Sequence, residues 1–426
     1  MKKEKNNNNL IKYNKKALFI LGGAFLFLIL FFSNIFFSKE VVYERGDLKA
    51  IAIDSKSSTS TTLLEESIKK PKEVVHLKTP KPLKAIYMSS CVVGTKNFRN
   101  DLVKVADETE INSIVIDIKD YSGLLSFDTD NPEISHAVSD KCGAKDMKEF
   151  IEGLHQKNIY VIGRVAVFQD PHMVKTHPEL AVRRKSDGGI WKDRKGLSFI
   201  DVGARPHWDY IANIAKESYG IGFDEINFDY VRFPSDGDMK DIDFTLSRGK
   251  TKAEVLKEFF SYLHDSLKDT GMITSVDLFG MTTTNFDDLN IGQVEENALP
   301  FFDYVAPMVY PSHFPPMFNG WKNPNEHVYE LIKYTMTKAV ERAEASTSPV
   351  AVFGSTRLGT STPALYSKPI YDRYKLRPWL QDFKYGGNYG PEEVRAQIKA
   401  TYDSGLDSWM LWAPSNRYTV SALLTQ

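Results

Sequence analysis

Residues Gly222–Pro234 read GFDEINFDYVRFP, and the alternation inside this run decides the fold. Successive side chains of a strand point to opposite faces, so Asp224, Ile226 and Phe228 share one face and Glu225, Asn227 and Asp229 the other. Ile226 and Phe228 belong against helices. The polar three then point into the interior of a barrel, where an inert core would stack Val, Ile or Leu. Working outward, similar apolar runs begin near Lys84 (KAIYMSS), Ile111 (INSIVIDIK) and Ile159 (IYVIGRVAVF) before it, and near Met272 (MITSVDLFG), Asp303 (DYVAPMVYP), Lys375 (KLRPWLQDF) and Asp407 (DSWMLWAP) after it. Amphipathic stretches at 101–110, 145–157, 206–218, 252–268, 326–344 and 391–404 separate them. Eight strand-then-helix units over residues 84–426 predict an α/β fold, a (β/α)8 TIM barrel with enlarged loops. A doubly wound open sheet is the rival, but no Gly-rich dinucleotide turn follows the first strand.

The same phase applied to the second strand sends Ile114, Ile116 and Ile118 outward and Ser113, Val115, Asp117 and Lys119 inward. In the fifth, Val276 and Leu278 go outward and Ser275 and Asp277 inward. Three strands thus bring ionisable groups to their carboxyl ends, where barrel enzymes assemble their sites.

The 426 residues carry 54 basic and 55 acidic side chains, and a formal charge of -1 removes the electrostatic case for a nucleic-acid partner. That balance hides two blocks. Residues 1–16 hold six lysines and one acid, +5, so the remainder carries -6. Residues 17–37 contain no charge and seven phenylalanines, and 21 residues at about 1.5 Å each span roughly 30 Å of hydrocarbon. This predicts a transmembrane helix, with the lysines ahead of it keeping the N-terminus cytoplasmic and the bulk of the chain outside. A cleaved signal peptide is the alternative, but the apolar run is longer than a usual h-region and no A-x-A site follows. Residues 38–83, with a Ser/Thr run at 55–62 and a Pro- and Lys-rich stretch through Pro71, Pro80 and Pro82, predict a flexible stalk. The two cysteines exclude a disulfide-framed scaffold and a multi-thiolate zinc site; export leaves a Cys91–Cys142 bond open.

Other chemistries find no support. The Gly-Lys-Thr ending at Thr251 lacks the first glycine of a phosphate loop, which would fall at Phe244. No G-x-S-x-G occurs, and His172 and His177 stand five apart rather than the four of a zincin helix. Neither a metal nor a cofactor is expected. His313 alone among the histidines is kept, because it follows Tyr310 at the end of the sixth strand. What remains is inward carboxylates with aromatic rings at one barrel face, the equipment of glycoside hydrolysis, in which one carboxyl is protonated and one ionised. Of the rings near strand ends, Tyr310 and Trp412 are in inward phase.

GFDEINFDYVRFP, with SVDLFGMTTTN at 275–285, DYVAPMVYPSHF at 303–314, RPWLQDF at 377–383 and WMLWAPSNRY at 409–418, resembles a bacterial family of glycoside hydrolases of unknown specificity. The similarity covers roughly residues 84–420. It implies a TIM barrel distantly similar to the α-amylase and α-galactosidase groups, in which an Asp ending the fourth strand is the nucleophile; Asp229 occupies that position. For its partner, Asp277 is adjacent and in phase, whereas Asp382 lies across the mouth and out of phase, since Leu376 and Leu380 leave Gln381 inward. Asp117, Lys119, Arg164, Arg232, Tyr310, His313, Gln381 and Trp412 are expected to bind a carbohydrate substrate. The leading expectation is a membrane-anchored, outward-facing glycosidase acting on a cell-surface or environmental polysaccharide. A non-catalytic barrel that binds glycan or envelope polymer is the main alternative; a metal-assisted deacetylase or lyase, the third, has no evident ligand cluster.

Overall fold

The computed structural model describes residues 74–425. The expected membrane helix at 17–37 and most of the stalk lie outside them; among the described residues no helix is long and apolar enough to cross a membrane.

Eight parallel strands close into a barrel in sequential order. They are β1 (Lys84–Met88), β2 (Ser113–Lys119), β3 (Tyr160–Ala166), β4 (Glu225–Asp229), β5 (Ile273–Phe279), β6 (Tyr304–Met308), β7 (Trp379–Gln381) and β8 (Trp409–Trp412). Six longer helices pack outside: α1 (Lys96–Glu108), α2 (Met147–Gln156), α3 (Arg205–Ile221), α4 (Lys252–Leu267), α5 (Val328–Glu344) and α6 (Pro391–Asp403). Only the β5–β6 connection lacks a helix of this length, holding the four-residue turn Glu295–Ala298 instead. Local chemistry sets the boundaries. Pro206 and Pro391 sit in the first turns of α3 and α6, where a missing N–H costs no bond. Thr251, the end of the would-be phosphate loop, instead caps α4 in a reciprocal box with Glu254. Gly222 ends α3 at φ 124°, a conformation L side chains rarely adopt, and turns the chain straight into β4.

The alternation within the strands divides the core into two. Ile114, Ile116, Ile118, Ile226, Phe228, Val276 and Leu278 join the helices in one large outer cluster. Ala85, Tyr87, Val115, Ile162, Ala306, Trp379 and Met410 form a separate inner one. Removing a ring such as Phe228, fully buried between β4 and the helices, would cost about 3–5 kcal/mol.

Three features depart from expectation or complete it. Residues 74–83, expected within the stalk, are tied to the barrel floor. Leu83 is buried and belongs to the inner cluster, Leu77 packs against that cluster, and the Leu77 N–H donates to Asp224 at 2.7 Å. Apolar side chains at 77 and 83 give this end of a polar segment something to bury, which the Ser/Thr run lacks. Cys91 and Cys142 form a disulfide that staples the turn after β1 to the loop before α2. Lastly, a bulge between Asp117 and Lys119 sets Lys119 level with outward-facing Val165.

Candidate active site

The carboxyl ends of β3 to β8 and the residues just beyond them enclose a cavity of about 230 Å³ lined by Arg164, Asp229, Tyr230, Arg232, Asp277, Phe279, Met308, Tyr310, His313, Trp379 and Trp412. Its charged centre is Arg164 on β3, which faces Asp117 across one strand gap and Asn227 across the other. The guanidinium donates to Asp117 at 2.5 Å, forms an ion pair with Asp229, and lies 3.8 Å from Asp277. Burial works against its charge, but Asp117, Asp229 and Asp277 hold the proton on it well above the usual arginine range.

The two candidate catalytic acids have different surroundings. Asp229 accepts from Arg164 on one oxygen and from the Tyr230 N–H, at 2.5 Å, on the other. Tyr230 itself takes φ 52°, the left-handed conformation uncommon for a non-glycine residue and concentrated at functional sites. Asp277 is 1% exposed, and its Oδ1 accepts from Trp379 Nε1 at 2.8 Å and from Asn227 Nδ2 at 2.9 Å. Burial, and then the charge of Asp229, push Asp277 up to about 8. Its neutral form is therefore the one present at pH 7. With both donors on Oδ1, its proton belongs on Oδ2. β4 and β5 are adjacent and in register, with Asn227 opposite Ser275, so Asp229 and Asp277 stand level on strands about 4.8 Å apart.

An aromatic wall faces the acids. Tyr310 stacks on Trp412 at 5.1 Å between centroids, and Phe383 meets both edge-on at 6.0 and 5.0 Å. His313, exposed at the rim, continues the wall 5.4 Å from Tyr310, and partial desolvation of its ring favours the neutral form. On the opposite rim Arg232 lies with its guanidinium 5.8 Å from the Tyr230 ring.

Asp229, Asp277, Arg164, Arg232, Tyr310, His313 and Trp412 are thus brought together, whereas four other expected site residues do not line the cavity. Asp382 has both carboxylate oxygens taken by Thr419, through its N–H at 2.8 Å and its hydroxyl at 2.6 Å; with Gln381 in inward phase, its neighbour cannot face the cavity as well. Lys119, displaced by the bulge, is fully buried and pairs with Asp170 at 2.8 Å. Asp117 serves the cavity indirectly by holding Arg164 while it accepts from the Tyr87 hydroxyl. Gln381 accepts from the N–H and hydroxyl of Ser312, at 3.2 and 2.9 Å, and so braces the turn that carries His313. Trp379 also lines the cavity and is not among the expected site residues. Trp379 is two residues before inward Gln381, so strand parity alone could have placed it inside.

A parallel barrel whose carboxyl mouth gathers two carboxyl groups, a guanidinium and stacked rings holds the side-chain types that glycoside hydrolysis uses. The chain belongs to the family described as "Putative glycosyl hydrolase domain", which matches residues 85–418. Among solved structures, a hypothetical protein from Ruminiclostridium thermocellum ATCC 27405 is 34% identical, with 48% of this chain and 98% of that one covered and a TM-score of 0.41. The PgaB (BpsB) glycoside hydrolase domain from Bordetella bronchiseptica is similar in fold at 10% identity, with 80% of this chain and 99% of that one covered and a TM-score of 0.55. A chitinase from Chromobacterium violaceum ATCC 12472 matches at 12% identity over 80% of this chain and 96% of its own, with a TM-score of 0.42. No curated protein matches the chain.

Proposed function

We propose that this chain is a membrane-anchored, outward-facing hydrolase that cleaves glycosidic bonds of an extracellular polysaccharide, with Asp229 as nucleophile and Asp277 as acid and then base. The observation that carries the reading is the divergence of the two carboxyls: one ion-paired to Arg164, the other neutral at pH 7 because it is buried beside the first. The Asp277 Oδ2 proton passes to the leaving oxygen as the bond from C1 breaks, and an Asp229 oxygen bonds to C1. Water then attacks C1, gives its proton to the Asp277 carboxylate, and frees Asp229. Neighbouring, level strands fit the roughly 5–5.5 Å spacing of a retaining pair rather than the wider inverting gap. Tyr310 and Trp412 offer the ring surface on which a sugar stacks. The lysine-flanked apolar segment at 17–37 supports the anchor and orientation, and the Cys91–Cys142 disulfide suits an oxidising compartment.

The test is a panel of cell-wall and environmental glycans assayed for released reducing ends with the wild-type protein and Asp229→Asn. Release by the first and none by the second, with binding retained, is expected. A wild-type protein that binds glycan and never cleaves it would make the barrel a binding module.

A further inference from the structure

We propose that Arg232 forms an oxyanion subsite beside Asp229, so that the sugar held next to the scissile bond carries a carboxylate, sulfate ester or phosphate ester. The inference rests on the hydrolase reading only in calling this ligand a substrate. Arg232 follows β4 by three residues and lines the same cavity as Asp229 and Asp277. Among the described residues no carboxylate lies within 4.0 Å of its guanidinium. Its hydrogen bonds go to the neighbouring Phe233 carbonyl at 3.3 Å and the Ser235 hydroxyl at 3.0 Å, both through Nη1, which leaves Nε and Nη2 with no partner.

The acids around it are committed elsewhere. Asp229 is held by Arg164, Asp236 pairs with Arg194 at 3.3 Å, and Asp193 accepts the backbone N–H groups of Lys195 and Leu197 at 2.9 and 2.8 Å. Burial makes the guanidinium less basic than usual, as expected for a desolvated cation without a close counterion. By contrast Arg164, deeper in the same cavity, already has Asp117 and Asp229 as close counterions. A half-buried guanidinium with a free edge presents two parallel N–H donors, the geometry that carboxylate, sulfate and phosphate oxygens accept. A neutral sugar would give that edge no charged partner.

Calorimetry on the full chain carrying Asp229→Asn, which keeps ligands uncleaved, tests this directly. The probes are galacturonate and glucuronate oligosaccharides, galactose 6-sulfate, glucose 6-phosphate and their neutral counterparts. At least one charged probe is expected to bind about 10- to 100-fold more tightly than its neutral counterpart, and the preferred probe identifies the anion. Adding Arg232→Gln should erase that preference without weakening the neutral probe, and Arg232→Lys should restore part of it. In the otherwise wild-type chain, Arg232→Gln should raise KM for an acidic polysaccharide far more than it lowers kcat, and carboxyl reduction of a uronate polymer should mimic it. Equal affinity for charged and neutral probes, no binding by any charged probe, or an equal loss for both in Arg232→Gln would overturn the subsite. Cleavage of neutral glycans indifferent to Arg232 would leave the hydrolase standing and remove this inference. Arg232-dependent binding without cleavage of any glycan would do the reverse.

Discussion

Replacing Asp277 by Asn should abolish activity and stabilise the protein. In the folded chain burial and the charge of Asp229 raise this carboxyl from 3.8 to about 8. Unfolded, it ionises near 3.8. At pH 7 folding must therefore take up a proton across about three pH units, a penalty of up to about 4 kcal/mol at 1.36 kcal/mol per unit. The raised folded value sets the sign: stability is greatest below the unfolded pKa and is lost as pH rises toward the folded one. Asparagine keeps an oxygen for the Trp379 and Asn227 donors and replaces the buried O–H with N–H, so it escapes the penalty. Denaturant titration of wild type and Asp277→Asn should show the variant about 2–4 kcal/mol more stable near pH 7. The gap should close toward pH 4 and level off above about pH 8. A destabilised variant, or a gap independent of pH across that window, would refute the assignment of Asp277 as the buried proton carrier.

The same geometry makes three further predictions. Trp379→Phe removes a donor that favours ionised Asp277, so the alkaline limb of kcat/KM, set by loss of the acid near pH 8, should move up by roughly 0.5–1 unit in a pH–rate profile. Asp382→Asn should leave kcat within about tenfold of wild type, because its oxygens are held by Thr419 rather than offered to the cavity; a loss of the size seen in Asp229→Asn would return it to the catalytic set. Replacing Cys91 and Cys142 together by Ala opens a loop of 51 residues and should cost about 2–4 kcal/mol in denaturant titration, with reductant giving the same shift in the wild type.

Much of the site was legible because strand parity is a local property. Once Ile226 and Phe228 are assigned to the helices, Glu225, Asn227 and Asp229 have only the barrel interior left, and the same step places Asp277. Parity fails where the backbone leaves regular geometry. The bulge before Lys119 turned an inward lysine into the buried partner of Asp170, and no residue type in SIVIDIK marks it. Nor does parity report who receives a side chain. Glu225 accepts from Ser275 at 2.6 Å and pairs with Arg377, and Asp382 is held by Thr419, contacts that join residues 37 to 152 positions apart. The elevated proton affinity of Asp277 is of this kind too, since it depends on burial and on Asp229 from another strand. The floor of the barrel was hidden for a different reason: composition assigned residues 74–83 to the stalk as a block, whereas Leu77 and Leu83 are two individual apolar side chains with a cavity to fill.

The most direct test of the central claim is to catch the intermediate. In Asp277→Gly a substrate with an activated leaving group needs no acid to depart, while the missing base slows hydrolysis of the ester that follows. Peptide mass spectrometry of the protein quenched during turnover should then show one glycosyl unit on the peptide carrying Asp229, and the wild-type product should keep the anomeric configuration of its substrate. An inverted product, or a sugar attached to any residue other than Asp229, would contradict the account.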